Sequence, residues 1–160
     1  MKVASRQRFH RGFVGDFSGL ARLVPVGVDM AARPIRVLIV DDEPLIRWAL
    51  AETLIRRGCD IVEAGDAQSA VKMLIDSAHR FDVVVLDYRL PDAHDLALLA
   101  TIRRLSPGSQ VIMITAFMTP DVATHALELG AYRVLPKPIE LEGLATLVQE
   151  AYRTGLRLLH

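Results

Sequence analysis

The chain is poor in several features that would commit it to a class. It has one cysteine, Cys59, one tryptophan, Trp48, and aromatic residues make up only 6% of it. A single cysteine excludes an intrachain disulfide and suits a reducing, cytoplasmic setting. No apolar run reaches the ~18 residues that a membrane-spanning helix needs. The amino-terminal stretch carries charge but no continuous apolar segment of the secretory kind. Neither membrane insertion nor export is expected. Net charge is absent too, with 19 basic residues against 19 acidic ones. That balance conceals a division: residues 1–33 hold six basic and two acidic residues, the remainder 13 and 17. The larger part therefore has no basic surplus with which to bind nucleic acid directly.

What the chain does have is order in its apolar residues, which are 51% of the total. Ile35–Val40 and Phe81–Leu86 are continuous apolar, β-branched runs, the pattern of strands buried on both faces of a parallel sheet. Pro44 begins a helix that lines up Ile46, Ala49, Leu50, Thr53 and Leu54 until Gly58 stops it. Asp60–Ala64 reads as a second strand. Asp66 then caps a helix carrying Ala70, Val71, Leu74, Ile75 and Ala78. After Phe81–Leu86, the spacing of Leu96, Leu99, Ile102 and Leu105 predicts a third helix, ended by Pro107 and Gly108. Gln110–Thr115 is a fourth strand. Thr119-Pro120-Asp121 starts a fourth helix that Leu127 and Leu129 continue and Gly130 ends. Tyr132–Leu135 is a fifth strand, and a last helix carries Ile139, Leu144, Leu147, Val148 and Ala151.

Five strand–helix units joined by short connections predict an α/β fold with a doubly wound, five-stranded parallel sheet. The domain is expected to span residues 34–153, with a tail over 154–160. Residues 1–33 read as a disordered extension. Phe9, Phe13, Phe17 and Leu20 fall at helical spacing there, but Gly12, Gly15 and Gly19 each weaken such a helix by about 1 kcal/mol.

Chemistry gathers at the ends of the strands. The first is followed by Asp41-Asp42-Glu43 and the third by Asp87, while the fourth ends in Thr115 and the fifth in Lys137. Open α/β sheets bind ligands at the carboxyl edge, where these residues converge. Clustered carboxylates repel unless a cation neutralises them, and hard oxygen donors suit Mg²⁺. A hydroxyl and an ammonium opposite the metal match a phosphoryl group. The set points to an aspartate that accepts one.

From about Ile35 to Tyr152 the chain resembles a response-regulator receiver domain of the CheY-like, flavodoxin-like fold, which implies the strand order 2-1-3-4-5. The matching segments are Val40-Asp41-Asp42-Glu43-Pro44, Val85-Leu86-Asp87-Tyr88-Arg89-Leu90-Pro91, Ile112-Met113-Ile114-Thr115-Ala116 and Leu135-Pro136-Lys137-Pro138. The resemblance implies that Asp87 takes a phosphoryl group from a histidine kinase or histidine phosphotransfer protein. Asp42 would ligate Mg²⁺ directly with Asp87 and the backbone carbonyl of Arg89, and Asp41 through water. Lys137 would pair with phosphoryl oxygens before a cis Lys137–Pro138 bond, and Thr115 would turn its hydroxyl to the group. Ala116 would leave the group room to enter. The family's usual switch aromatic is replaced by Val134, and Tyr132, two residues earlier, is expected on the same side of the strand as a substitute. Leu45, Ile46, Trp48 and Ala49 fall on the face that receivers offer to kinase or phosphotransfer helices. Output would pass to a downstream protein through the fourth helix, fifth strand and last helix. The protein would be a stand-alone regulator rather than an enzyme. Two rival readings are a phosphorylation-independent adaptor and an aspartyl phosphatase. The second conflicts with Arg89, which stands where such enzymes carry a second acid.

Overall fold

The computed structural model describes residues 33–76, 80–94 and 96–158. Residues 1–32, with the helical spacing of Phe9 to Leu20, and also Ala78, lie outside the described residues. Ten elements alternate strictly: β1 (Arg36–Val40), α1 (Pro44–Arg56), β2 (Asp60–Ala64), α2 (Ala67–Ile75), β3 (Val83–Asp87), α3 (Ala97–Leu105), β4 (Gln110–Thr115), α4 (Pro120–Glu128), β5 (Arg133–Pro136) and α5 (Leu141–Leu158). The five strands pair in parallel in the order β2-β1-β3-β4-β5. This is the doubly wound topology that the strand–helix alternation predicts, in the flavodoxin-like order that the resemblance implies.

The sheet is buried on both faces because the interiors of its central strands, Val37–Val40, Val83–Leu86 and Val111–Ile114, are apolar throughout. Side chains alternate along each strand. Leu38, Val40, Val84, Leu86, Val111 and Met113 pack with Ala70 and Leu74 of α2, Leu99 and Ile102 of α3 and Ala126 of α4. Val37, Ile39, Val83, Val85, Ile112 and Ile114 pack with Leu50 and Leu54 of α1 and Leu144, Val148 and Ala151 of α5.

Local chemistry ends the helices as expected. Asp66 accepts a hydrogen bond from the Ser69 amide, and Thr119 caps α4 through the Val122 amide. Gly58 and Gly130 follow α1 and α4 at φ +81° and +97°, a left-handed conformation that costs glycine little.

Several boundaries differ from expectation. β3 runs over Val83–Asp87, so Asp87 is the last residue of the strand itself. Arg33, expected to belong to the extension, is tied to Asp82 by two hydrogen bonds of 2.8 and 2.7 Å. Residues 154–158, expected as tail, continue α5, where Gly155 is buried on the helix's apolar side. Tyr132 is not on the side of Val134. It precedes β5, so the two-residue alternation does not reach it, and it packs in the α1–α5 layer with Leu135 while Val134 packs in the other. Its hydroxyl lies 3.5 Å from that of Thr154 on α5. Leu127 and Leu129 extend or follow α4 but stay exposed, and Ala126 is the helix's single buried residue among those described.

Candidate functional site at the carboxyl edge

Parallel pairing aligns β1, β3, β4 and β5 so that their carboxyl ends face one loop cluster. Asp87 sits 6% exposed at the end of β3, and Asp41 follows β1 with 1% exposure. Lys137, just beyond β5, reaches across to both. Its ammonium lies 3.1 Å from Asp87 Oδ2, 3.3 Å from Asp41 Oδ2 and 3.0 Å from Glu43 Oε1. The backbone of Lys137 is held by its amide, which donates to the Thr115 carbonyl at 2.8 Å, and the Lys137–Pro138 bond is cis.

Charge explains why this arrangement is stable. Burial alone would lower the pKa of the Lys137 ammonium, but its hydrogen bond to Glu43 and the charge of Asp87 outweigh that and hold it above the ordinary lysine value. Burial pushes the Asp87 carboxyl above the usual carboxylate range, a shift opposed by Lys137 and by the Arg89 amide and reinforced by Asp41. A carboxylate in this setting is poorly solvated and paired with the Lys137 ammonium. That combination is characteristic of reactive sites.

Asp41, Glu43 and Asp87 each offer an oxygen within 4.8 Å of the others'. This is a hard, anionic donor set of the kind Mg²⁺ takes, so the residues fit such an ion. Asp41 is further fixed by accepting the Glu43 amide at 2.8 Å. Asp42 stands apart from the trio. It is exposed, and no partner among the described residues holds its carboxylate. Glu43, which sequence reasoning counted among the acids but gave no role, reaches Lys137.

Around this centre, Thr115 is fully buried and its Oγ1 accepts the Phe117 amide at 2.9 Å. Ala116 is exposed at the rim. The Arg89 amide donates to Asp87 Oδ1 at 3.3 Å, while the Arg89 guanidinium stacks over the Phe117 ring, 4.0 Å from its centroid. The loops after β3 and β4 are thus joined at the mouth of the site by a cation–π contact. Val134 is half-buried and aliphatic, beside no aromatic partner in β5. On α1, Leu45 and Trp48 are exposed at 82% and 62%, whereas Ile46 and Ala49 are half-buried. Ile55, 52% exposed, extends their line and was not singled out by the sequence. At the start of the third helix, the N-cap position is Leu96, which cannot cap by its side chain.

The family model for the response regulator receiver domain matches residues 37–149. The chain is 41% identical over 118 residues to the response regulator protein PilR of Pseudomonas aeruginosa, a match covering 74% of this chain and 26% of PilR. It thus spans about a quarter of that relative's length. A CheY-like receiver domain protein of Methanospirillum hungatei superposes with a TM-score of 0.73 at 25% identity, covering 78% of this chain and 98% of that one. A response regulator protein of Burkholderia pseudomallei, solved with a phosphorylated aspartic acid, calcium ion and citrate, gives 0.64 at 27% identity over 72% of this chain and 71% of that one.

Proposed function

The chain belongs to the response-regulator receiver family, and from that premise we propose that it accepts a phosphoryl group on Asp87 and signals through protein contacts. The observation that carries the proposal is the buried Asp87 carboxylate held 3.1 Å from the Lys137 ammonium beside two further acids.

In the proposed reaction an Asp87 oxygen attacks the phosphorus of a phosphohistidine on a histidine kinase or phosphotransfer protein. An O–P bond forms, the P–N bond breaks, and the electron pair leaves on the imidazole nitrogen, which takes a proton. Burial keeps water from competing for Asp87. Lys137 neutralises charge on the phosphoryl oxygens, and Thr115, next to β3 on β4, offers its hydroxyl once Phe117 releases it. Asp87, Asp41, Asp42 and the Arg89 carbonyl would hold Mg²⁺, with Glu43 added by the geometry. Bound there, Mg²⁺ supplies positive charge against the phosphoryl oxygens. Ala116 leaves the entrance open.

Leu45, Trp48 and the adjoining Ile46 and Ala49 form the docking face for the phosphodonor, with the exposed tryptophan as its anchor. The α4–β5–α5 face passes the signal on as a shift between two conformations. The protein is a cytoplasmic switch whose only chemistry is its own phosphorylation and dephosphorylation.

The test is Mg²⁺-dependent uptake of phosphoryl from a small donor such as acetyl phosphate, followed by intact mass. One phosphoryl unit per chain is expected, lost when Mg²⁺ is chelated. No uptake would favour the phosphorylation-independent adaptor, and rapid turnover of unrelated phosphate esters would favour the phosphatase.

A further inference from the structure

The loop that follows Asp87 is anchored to a helix with which it has no sequence connection. Both carboxylate oxygens of Asp92 accept backbone N–H groups of the first turn of α2: Ala67 to Oδ1 and Gln68 to Oδ2, each at 2.9 Å. Asp66 takes the third free amide of that turn, Ser69, at 2.6 Å. Two aspartates, one local and one 24 or more residues away, therefore satisfy three of the four orphan donors that open α2. The two backbone bonds hold the Asp92 carboxyl below the usual carboxylate range.

The same loop is pinned at other points. Leu90 is 7% exposed in the α2–α3–α4 layer, and its carbonyl accepts the Ala93 amide at 3.4 Å. Between these anchors and β3 lies Arg89, whose amide donates to Asp87. Arg89 thus lies between the Asp87 carboxylate on one side and the Leu90 and Asp92 anchors on the other.

We propose that Asp92 is a positioning residue: by capping α2 from the Asp87 loop, it fixes the Arg89 peptide that faces the phosphoacceptor and its cation. The inference rests on the reading of Asp87 as the phosphoryl and Mg²⁺ site. It assigns the amino end of α2 to that site, through Asp92 and through no contact of its own. Because coupling between two events is reciprocal, an ion that fixes the Arg89 peptide also tightens the Asp92 cap.

The experiment compares Asp92→Ala with Asp66→Ala, which removes the local cap of the same helix but neither of the two Asp92 bonds. Amide hydrogen exchange is read in metal-free protein and with Mg²⁺, and Mg²⁺ affinity is measured by calorimetry. In Asp92→Ala the Arg89 amide should exchange faster than in wild type, and Mg²⁺ should bind about fivefold more weakly, the equivalent of one lost cap. In Asp66→Ala both should stay within about twofold of wild type, although α2 is weakened. In wild type, Mg²⁺ should slow exchange at Ala67 and Gln68. Unchanged exchange at Arg89 in Asp92→Ala, or equal effects in the two variants, would overturn the proposal and leave Asp92 a helix cap only. Failure of wild-type protein to bind Mg²⁺ would instead count against the reading of the site, and the Arg89 exchange in metal-free protein would still decide the tether.

Discussion

The Lys137 ammonium stands 3.1 Å from the Asp87 carboxylate, although the two residues are 50 positions apart in the chain. The contact exists because β3, β4 and β5 are consecutive in the sheet, and because the Lys137 amide is bonded to the end of β4 at Thr115. Asp41 and Glu43 bond the same ammonium. One cation thus holds three acids that would otherwise repel.

Replacing Lys137 tests this directly. Lys137→Met should cost about 2 kcal/mol of stability at neutral pH, since it leaves buried acids without their partner. Urea unfolding at neutral pH checks it, and phosphoryl uptake should fall about a hundredfold in the same variant.

The raised pKa of Asp87 predicts a pH dependence of definite sign. The native carboxyl keeps a proton that the unfolded chain has already lost, so this group's contribution to stability falls as pH rises from the unfolded value, about 3.9, through the raised native one. Asp87→Asn removes that term. The variant should be more stable than wild type at neutral pH, with the difference disappearing in acid. Thermal unfolding across this range measures it, and a variant less stable at neutral pH would contradict the electrostatic account.

Thr115 is fully buried and its hydroxyl accepts the Phe117 amide. Thr115→Ala leaves that donor unpaired and should cost about 1–2 kcal/mol, whereas Thr115→Ser should cost less by keeping the acceptor. Chemical denaturation of the pair separates the hydroxyl's share from that of the methyl.

Arg89 and Phe117 stack on each other at the mouth of the site. Arg89→Ala and Phe117→Ala should each shorten the life of a phosphoryl group on Asp87. The double variant should be little worse than either, by a coupling of about 0.5–1 kcal/mol. Decay of the adduct in the four proteins of the cycle gives the coupling; strictly additive rates would show that the stack does not act as a unit.

The sheet was legible in the sequence because β1, β3 and β4 are built on continuous, β-branched apolar runs bounded by turn residues, a pattern that suits a strand buried on both faces. The acids and the lysine at the strand ends were legible for the same reason: once the strands are placed, so are the residues that follow them. Side-chain direction outside a strand was not legible. Tyr132 packs toward α5 because β5 begins at Arg133, one residue later than the apolar pattern suggests. The exposure of Leu127 and Leu129 also escaped, because α4 has a single deeply buried position, and a short amphipathic pattern does not say how much of it the neighbouring elements cover. The Asp92 cap on α2 depends wholly on tertiary placement, and nothing in the local sequence around Pro91 marks it.

The central claim is that Asp87 itself receives the phosphoryl group. The measurement is site mapping of the adduct formed with acetyl phosphate and Mg²⁺, by reductive trapping of the acyl phosphate with borohydride and sequencing of the modified peptide by mass spectrometry. Modification is expected at Asp87 alone, and none in Asp87→Asn. Label on Asp41, Asp42 or Glu43, or an undiminished adduct in Asp87→Asn, would contradict it.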